Sequence, residues 1–581
     1  MIKVCKNCQQ NFEITDDDLK FYEKISPVFG GEKYLIPAPS LCPDCRLQRR
    51  MSWRNDRNFY KRKCDFSGKE MISMYKPGNL KVYDHEIWWG DKWDTSEYAQ
   101  EYDFNKSFFE QLSELIYNVP HPNVAQLNSE NSLYTNFTAW NKNCYLCSAG
   151  NKLEDSAYCY NVEESKDCFD CLNLLNCELC YQTIHCENCY KLYFSIHSKN
   201  SQESYFLEDC IGCSHCLLCF NLQHKEYCIL NKQYTKEEYL EKIQEYKLNT
   251  YNGIFDAFKI WQKESIKYPK KANHNIFAEN CSGEYISHSK NCENCYLVHK
   301  NNEDCKHIFA GFPNLKDSYD CIYTGEGAEL TYEGMCSGDG TLKCAFVQVV
   351  ISGCADIYYG DYLINCQNCF GCSGLKHKQY CILNKQYAKE EYEKLVPKII
   401  EAMKSPKSPL TRGLGHPLDK GGLGDCEWGE FFPSSISPFG YNETVAQEYF
   451  PLTKEQALSR GFKWSDYEPE FPKVEKIISA NLLPDSISKI PDDILNWAIE
   501  CEVMKKPFKI IAPELDFYRQ MNLPIPRRHP DQRHKDRMAL RNPRKLWKRN
   551  CMKCNSEIQT TYSPERPEIV YCEKCYLEKV Y

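Results

Sequence analysis

Residues 168–190 read CFDCLNLLNCELCYQTIHCENCY, and the spacing of their cysteines decides the fold. Cys168, Cys177 and Cys186 recur every nine residues. Cys171, Cys180 and Cys189 repeat the step, with Leu172, Tyr181 and Tyr190 following them, and Cys210, Cys219 and Cys228 keep the same interval. A row at fixed period implies stacking. Nine-residue units pairing into turns of a parallel β-solenoid place equivalent residues about 4.8 Å apart, where small apolar side chains such as Cys form an internal ladder. On this reading most of the middle cysteines are core residues that bind nothing. Two metal-based readings stand beside it. Cys210, Cys213, Cys216 and Cys219 form CxxCxxCxxC, one residue short of the bacterial ferredoxin run and followed by Phe220 instead of proline. Additional zinc or an iron–sulfur cluster therefore competes with the ladder.

Working outward, cysteine is dense in residues 1–64, 141–231, 273–385 and 501–581, and the intervening segments have helical character. In YTKEEYLEKIQEYK, Thr235 as N-cap, Glu238 three positions on, and Tyr239, Ile243 and Tyr246 at helical spacing predict a helix. The stretch SPKSPLTRGLGHPLDKGGLGD, residues 405–425, is rich in Gly, Pro and Ser and reads as a mobile linker or a late insertion. The chain of 581 residues is long enough for several domains. Its 42% hydrophobic and 14% aromatic content excludes a disordered chain. No apolar run approaches the roughly 20 residues of a membrane helix, and MIKVCKNCQQNFEITDDD lacks an apolar targeting segment. A cytoplasmic protein is expected. Thiols stay reduced there, and an odd total of 37 cysteines does not close a disulfide framework.

Two duplications organise the chain. YCILNKQY at 227–234 recurs unchanged at 380–387, and the same shift carries Cys213, Cys216, Cys219 and His224 onto Cys366, Cys369, Cys372 and His377. The termini are also related. Cys5, Phe12, Ile14, Leu19, Phe21 and Tyr22 fall on Cys501, Phe508, Ile510, Leu515, Phe517 and Tyr518. After a loop of different length, Arg46, Arg50, Met51, Arg54, Arg57 and Cys64 fall on Arg533, Arg537, Met538, Arg541, Arg544 and Cys551.

Cys5, Cys8, Cys42 and Cys45 form two CxxC knuckles whose thiolates can converge tetrahedrally on one zinc ion, with a helix expected after Cys45 in the manner of a treble clef. Cys551, Cys554, Cys572 and Cys575 form a second set at zinc-ribbon spacing. About two Zn2+ per chain are expected. In the C-terminal copy Met504, His529 and Gln532 replace Cys8, Cys42 and Cys45. In the N-terminal copy Ser67, Asp84 and Ile87 stand near three of the ribbon positions around Cys64. Each module thus keeps one of two ancestral sites.

Positive charge is concentrated beside these sites. Residues 46–63 contribute +7 and residues 527–549 contribute +8 to a chain of net charge −8, which leaves the remainder at −23. Arg46, Arg50, Arg54 and Arg57, and likewise Arg533, Arg537, Arg541 and Arg544, fall at helical spacing on one face. Such guanidinium rows suit phosphate backbones, with Trp53, Tyr60 and Trp547 available to stack on bases. The competing reading pairs them internally with the acidic remainder.

The strings CKNCQQNFEITDDDLKFYEKI and LCPDCRLQRRMSWRNDRNFYKRKCD, with NKNCYL, ENCY and YCILNKQYTKEEY later, resemble a group of uncharacterised cysteine-rich zinc-binding proteins, of zinc-ribbon and treble-clef type, from candidate-phyla bacteria. In that group the stretch equivalent to Cys64 through Ile87 carries a second pair of knuckles, so the resemblance implies a lost site here. No Walker loop, dinucleotide fingerprint, HExxH or GxSxG is present. Four-cysteine sites leave no open coordination position for catalysis.

The expected architecture is multidomain α+β, with duplicated treble-clef/zinc-ribbon modules at both termini flanking two Cys-rich parallel β-solenoid-like blocks joined by helices. The boundaries are a zinc module at 1–100, a helical connector at 101–140, repeat block 1 at 141–231, a helical connector at 232–272, repeat block 2 at 273–385, helices and linker at 386–500, and the C-terminal module at 501–581. The expected function is a zinc-stabilised, non-enzymatic scaffold that binds nucleic acid, RNA above all, or a protein partner, without a membrane. The alternative is an iron–sulfur or thiol oxidoreductase using the middle cysteines.

Overall fold

A backbone habit builds the middle of the molecule. From Phe137 to Leu230 every third residue has positive φ, almost all of them non-glycine. Each such residue is a left-handed corner, so the chain turns after every three residues and closes a four-sided coil. Parallel bridges such as Tyr160↔Leu172, Glu178↔Tyr190 and Ser214↔Glu226 set the coil at twelve residues. Each side carries one inward residue, one residue paired to the next coil, and one corner. A left-handed corner costs an L-residue roughly 1–2 kcal/mol. Hydrogen bonds between coils, such as Tyr145 N–H to Ser156 C=O at 3.0 Å and Tyr158 N–H to Tyr145 C=O at 2.9 Å, offset it.

The computed structural model describes residues 1–404, 426–468, 471 and 473–580. The segment 405–425, expected as a linker, lies outside the described residues. Two compact units form. One contains Met1–Asn123 and Asn273–Tyr467, the other Val124–Ala272 and Glu468–Tyr581. Each unit is a terminal module packed on one solenoid block, and in each the chain pairs a module with the block farther from it in sequence. The α+β class, the solenoid blocks and the cysteine clusters at both ends are as expected. No helix among the described residues is long and apolar enough to cross a membrane.

The stacking period differs from the sequence reading. Cys168, Cys177 and Cys186 do not form one row, because nine residues are three sides of a twelve-residue coil. The true column is Cys144, Ser156, Cys168, Cys180, Leu192, Ser204, Cys216 and Cys228, with all of its cysteines buried. Nine remains meaningful for another reason. The inward thiols from Cys144 to Cys219 donate to the carbonyl nine residues on, as Cys171 Sγ does to Cys180 O at 3.4 Å and Cys189 Sγ to Ser198 O at 3.4 Å. Serine occupies the same positions: Ser156 Oγ donates to Glu154 O and accepts from Cys168 N–H. Solenoid pairing also begins earlier than the expected boundary of 141, with Gln126–Leu127 paired in parallel to Thr138–Ala139.

The second block follows the same plan with coils of thirteen residues in its centre, as in Glu329↔Leu342↔Ala355, and twelve at its end, as in Ala355↔Gln367↔Gln379. The extra residue falls at one corner, occupied by Asn301, Asn314, Gly327, Gly340 and Gly353, all at positive φ.

The duplicated YCILNKQY is the closing device. After the last parallel strand the chain turns back antiparallel, pairing Ile229 with Lys232 and Ile382 with Lys385. Asn231 then bonds Phe220 through both amide atoms at 2.8 Å, and Asn384 does the same to Ser373 at 3.0 and 2.7 Å. Each side-chain amide thereby stands in for the peptide group that a further coil would supply. The helix Lys236–Glu245, capped by Thr235 with Glu238 as expected, follows one cap, and Lys389–Lys404 follows the other. Both bury a tyrosine, Tyr239 and Tyr392.

Because the ladder thiols pack as small donors to backbone carbonyls, Cys177→Ala should cost about 1–2 kcal/mol in chemical denaturation. Metal content measured on the same sample should be unchanged.

Candidate metal centres and nucleic-acid interface

The four Sγ atoms of Cys5, Cys8, Cys42 and Cys45 lie within 4.8 Å of one another, and so do those of Cys551, Cys554, Cys572 and Cys575. The Cys8–Cys42 and Cys554–Cys572 separations are both 3.7 Å. Four ligands at about 2.3 Å around one tetrahedral ion stand about 3.8 Å apart, so both clusters have the dimensions of a tetrathiolate site.

The local chain explains the convergence. At Cys5, Gln10 C=O accepts from Cys5 N–H, Cys5 C=O accepts from Gln9 N–H, and Gln9 takes positive φ; Ser556 and Asn555 play the same parts at Cys551. The second pair of each set opens a helix: Cys42 is the N-cap of Pro43–Met51, and Cys572 directly precedes Glu573–Val580. Amide donors aim at the sulfurs, Cys42 N–H at Cys5 Sγ and Cys572 N–H at Cys551 Sγ, both at 3.2 Å, and Asn7 Nδ2 at Cys45 Sγ at 3.3 Å. Such donors stabilise thiolates. Hydrogen bonding from Cys45 holds the Cys42 thiol down to about 5 while the same contact pushes Cys45 up, and Ser556 holds Cys554 down to about 6 while burial and the neighbouring sulfurs push Cys575 up to about 12. Each cluster could hold one metal ion through its four sulfurs.

The lost sites keep their turns. Cys64 and Cys501 have the same two backbone bonds, with positive φ at Gly68 and Lys505. Asp84 occupies the helix-opening position and sends its N–H to Cys64 Sγ at 3.3 Å, while His529 caps the helix Pro530–Ala539 by accepting from Asp531 N–H. Neither Cys64 nor Cys501 belongs to a metal-capable group among the described residues. Nor do any three ladder cysteines, and their thiols are engaged as donors to backbone carbonyls.

The basic segments are not where the sequence reading put them. The helix Pro43–Met51 ends before Arg54 and Arg57, and Pro530–Ala539 ends before Arg541 and Arg544, so neither four-arginine row exists. Arg46, Arg50, Arg54, Arg533 and Arg537 are at most 3% exposed. That burial corrects their assignment as phosphate-facing residues. Arg57, Arg541 and Arg544 are half-buried.

Arg46, Arg50, Arg533 and Arg537 take acidic solenoid corners as partners. Arg46 Nη2 meets Asp320 Oδ2 at 2.7 Å, and Arg50 bridges Asp320 at 3.2 Å and Glu333 at 3.0 Å. Arg49, which the sequence reading passed over, binds Glu333 at 2.8 Å and Glu430 at 2.7 Å. Arg54 pairs with Asp56 at 2.7 Å and lies over the Tyr323 ring at 3.8 Å. In the other unit Arg533 and Arg537 both clasp Asp170, and Glu514 is bonded by Arg533, Tyr158 and Tyr518. Aromatic contacts repeat the pattern. Phe21 stacks on Tyr319 with ring centroids 3.8 Å apart, and Phe517 on Phe169 at 4.2 Å. Each ring precedes the clasped aspartate, so the two dockings are copies of one interface. Burial alone would raise the Asp320 carboxyl, but Arg46 and Arg50 hold it down to about 2.

No family model matches the chain, and no curated protein matches it. Among solved structures, a candidate acetyltransferase from Desulfovibrio desulfuricans G20 aligns with 41% of this chain and 66% of its own, just under two thirds, at 10% identity and a TM-score of 0.10. A likeness that weak carries no argument.

Two outcomes follow from the geometry. Cys8→Ser or Cys572→Ser should each remove one metal ion per chain and locally unfold that module, read by elemental analysis and hydrogen exchange, because metal-binding energy is folding energy in such small sites. The Asp320 carboxyl, depressed below its unfolded value near 3.9, stabilises the fold above about pH 4 and loses that contribution as pH falls toward 2. Asp320→Asn should flatten this acid limb and cost about 3–5 kcal/mol at neutral pH in denaturant titrations, since the buried Arg46 loses its carboxylate and Arg50 one of its two.

Proposed function

We propose that this protein is a zinc-stapled, non-enzymatic scaffold whose partner is another protein. One observation carries the reading: four of the arginines that a phosphate backbone would need, Arg46, Arg50, Arg533 and Arg537, are spent in buried pairs within each unit, holding a module against its solenoid. Zinc is the metal that four thiolates at these separations suit best, and a closed site of this kind supplies folding energy and no coordination position for chemistry. A thiol oxidoreductase would need accessible thiolates, whereas the ladder sulfurs are buried and donate to carbonyls.

The experiment is a pair of titrations. Wild type filtered against pooled RNA at low and moderate salt should show no saturable retention. Arg46→Glu with Arg50→Glu should lower the melting temperature sharply, because each reversal sets a carboxylate against Asp320 or Glu333. Saturable RNA retention weakened by that double variant, at unchanged stability, would overturn the proposal.

A further inference from the structure

The terminal modules are copies, and one displays an occupant at a position that no described residue fills in the other. The strand Ile2–Val4 with its partner Asn11–Glu13 corresponds to Trp497–Glu500 with Pro507–Phe508. In the C-terminal module the outer edge of Trp497–Glu500 is taken by a third strand, Lys476–Ser479, running parallel in the register Lys476↔Trp497 through Ser479↔Glu500. Ala498 and Ile499 are fully buried there. In the N-terminal module, among the described residues, Ile2–Val4 pairs with Asn11–Glu13 alone.

The hydrogen-bond phase shows which groups face outward. Met1 N and Ile14 O lie at 2.6 Å and Ile14 N and Met1 O at 2.8 Å, so Met1 and Lys3 turn their backbone groups toward the partner strand. Ile2 and Val4 therefore turn their N–H and C=O groups away from it. Their side chains are 66% and 55% exposed. Natural edges of this sort are usually guarded by charge, proline or a bulge. The only charge on this strand is Lys3, whose Nζ is drawn aside to Ala38 O at 3.0 Å and Pro39 O at 3.1 Å.

We propose that the outer edge of Ile2–Val4 is a β-augmentation site that receives an extended segment of a partner protein, parallel to the strand and carrying adjacent β-branched residues. The chemistry of the occupant comes from the copy, where Lys476, Ile477, Ile478 and Ser479 fill the equivalent edge: two β-branched residues, no proline and polar ends. Main-chain bonds supply the affinity, and the apolar Ile2 and Val4 side chains supply the preference. The site deepens the scaffold proposal by giving its protein partner a place and a form, and its significance rests on that reading.

The test uses the full chain and a labelled synthetic peptide, EKIISA, identical to residues 475–480. Wild type should bind it saturably, and hydrogen exchange should slow at Ile2 and Val4. A peptide N-methylated at each isoleucine should bind at least about tenfold more weakly, as should Val4→Pro with its metal content intact, because both remove ladder bonds. No saturable binding, equal binding of the methylated peptide, or protection at 497–500 in place of Ile2 and Val4 would overturn the site. A concentration-dependent dimer dissolved by the peptide would also overturn it, by assigning the edge to a second copy. RNA retention in the filter assay with peptide binding intact would sink the scaffold reading while leaving the edge site standing.

Discussion

The left-handed corner at every third residue governs this structure. A coil closed by four corners encloses a narrow shaft with one inward side chain per side. Cys, Ser, Thr, Val and Leu fill it, as in the column from Cys144 to Cys228. Thiols and hydroxyls are interchangeable there because each donates to a nearby carbonyl while presenting little bulk. The abundance of cysteine in the middle of the chain is thus a packing solution. At the termini the same amino acid gathers into clusters that could hold a metal ion, where knuckle turns bring four sulfurs within tetrahedral reach.

Corners also decide how the modules attach. A corner residue projects outward, so Asp170, Asp320 and Glu333 present carboxylates from an otherwise backbone-saturated wall. Buried ion pairs are weak evidence for net stability, since desolvation consumes much of their attraction. Their value here is placement. Asp320 accepts from two guanidinium groups and Glu333 from two, which fixes the module helix against particular coils in a way that an apolar contact alone would not. The stacked pairs Phe21–Tyr319 and Phe517–Phe169 add the apolar area beside them.

Much of this was legible in the sequence, and the misreadings share a cause. CxxC pairs state their own geometry, so both tetracysteine clusters were readable, as was the Thr235–Glu238 capping box. The solenoid class was readable from a cysteine period, but the coil length was not. A spacing of nine reports the carbonyl that a thiol meets three sides later, while the twelve-residue stacking column is masked by serine and leucine substituting for cysteine. The arginine rows failed differently. Helical spacing continues past Met51 and Ala539 in the sequence, whereas the chain leaves the helix at both points. Partner identity is a long-range fact: Arg46 and Asp320 are 274 residues apart, and no local pattern joins them.

Divergence between the two dockings shows what selection on a duplicated interface would have to preserve. Arg46 and Arg50 match Arg533 and Arg537, and each pair grips a corner aspartate. Arg49, however, corresponds to Asp536, which turns to Arg528 at 2.8 Å and Gln532 at 2.8 Å within its own module. The extra carboxylates differ to suit. Glu333 and Glu430 receive Arg49 in one unit, while in the other Glu514, from the module itself, pairs with Arg533 and accepts from two tyrosine hydroxyls. An aspartate at the Arg49 position would face Glu333 with like charge in a buried setting, a mismatch of several kcal/mol. The shared aspartate clasp therefore provides attachment. The residue at position 49 is unshared, and it gives the N-terminal module an added grip on Glu333 and Glu430 that Asp536 does not give the C-terminal one.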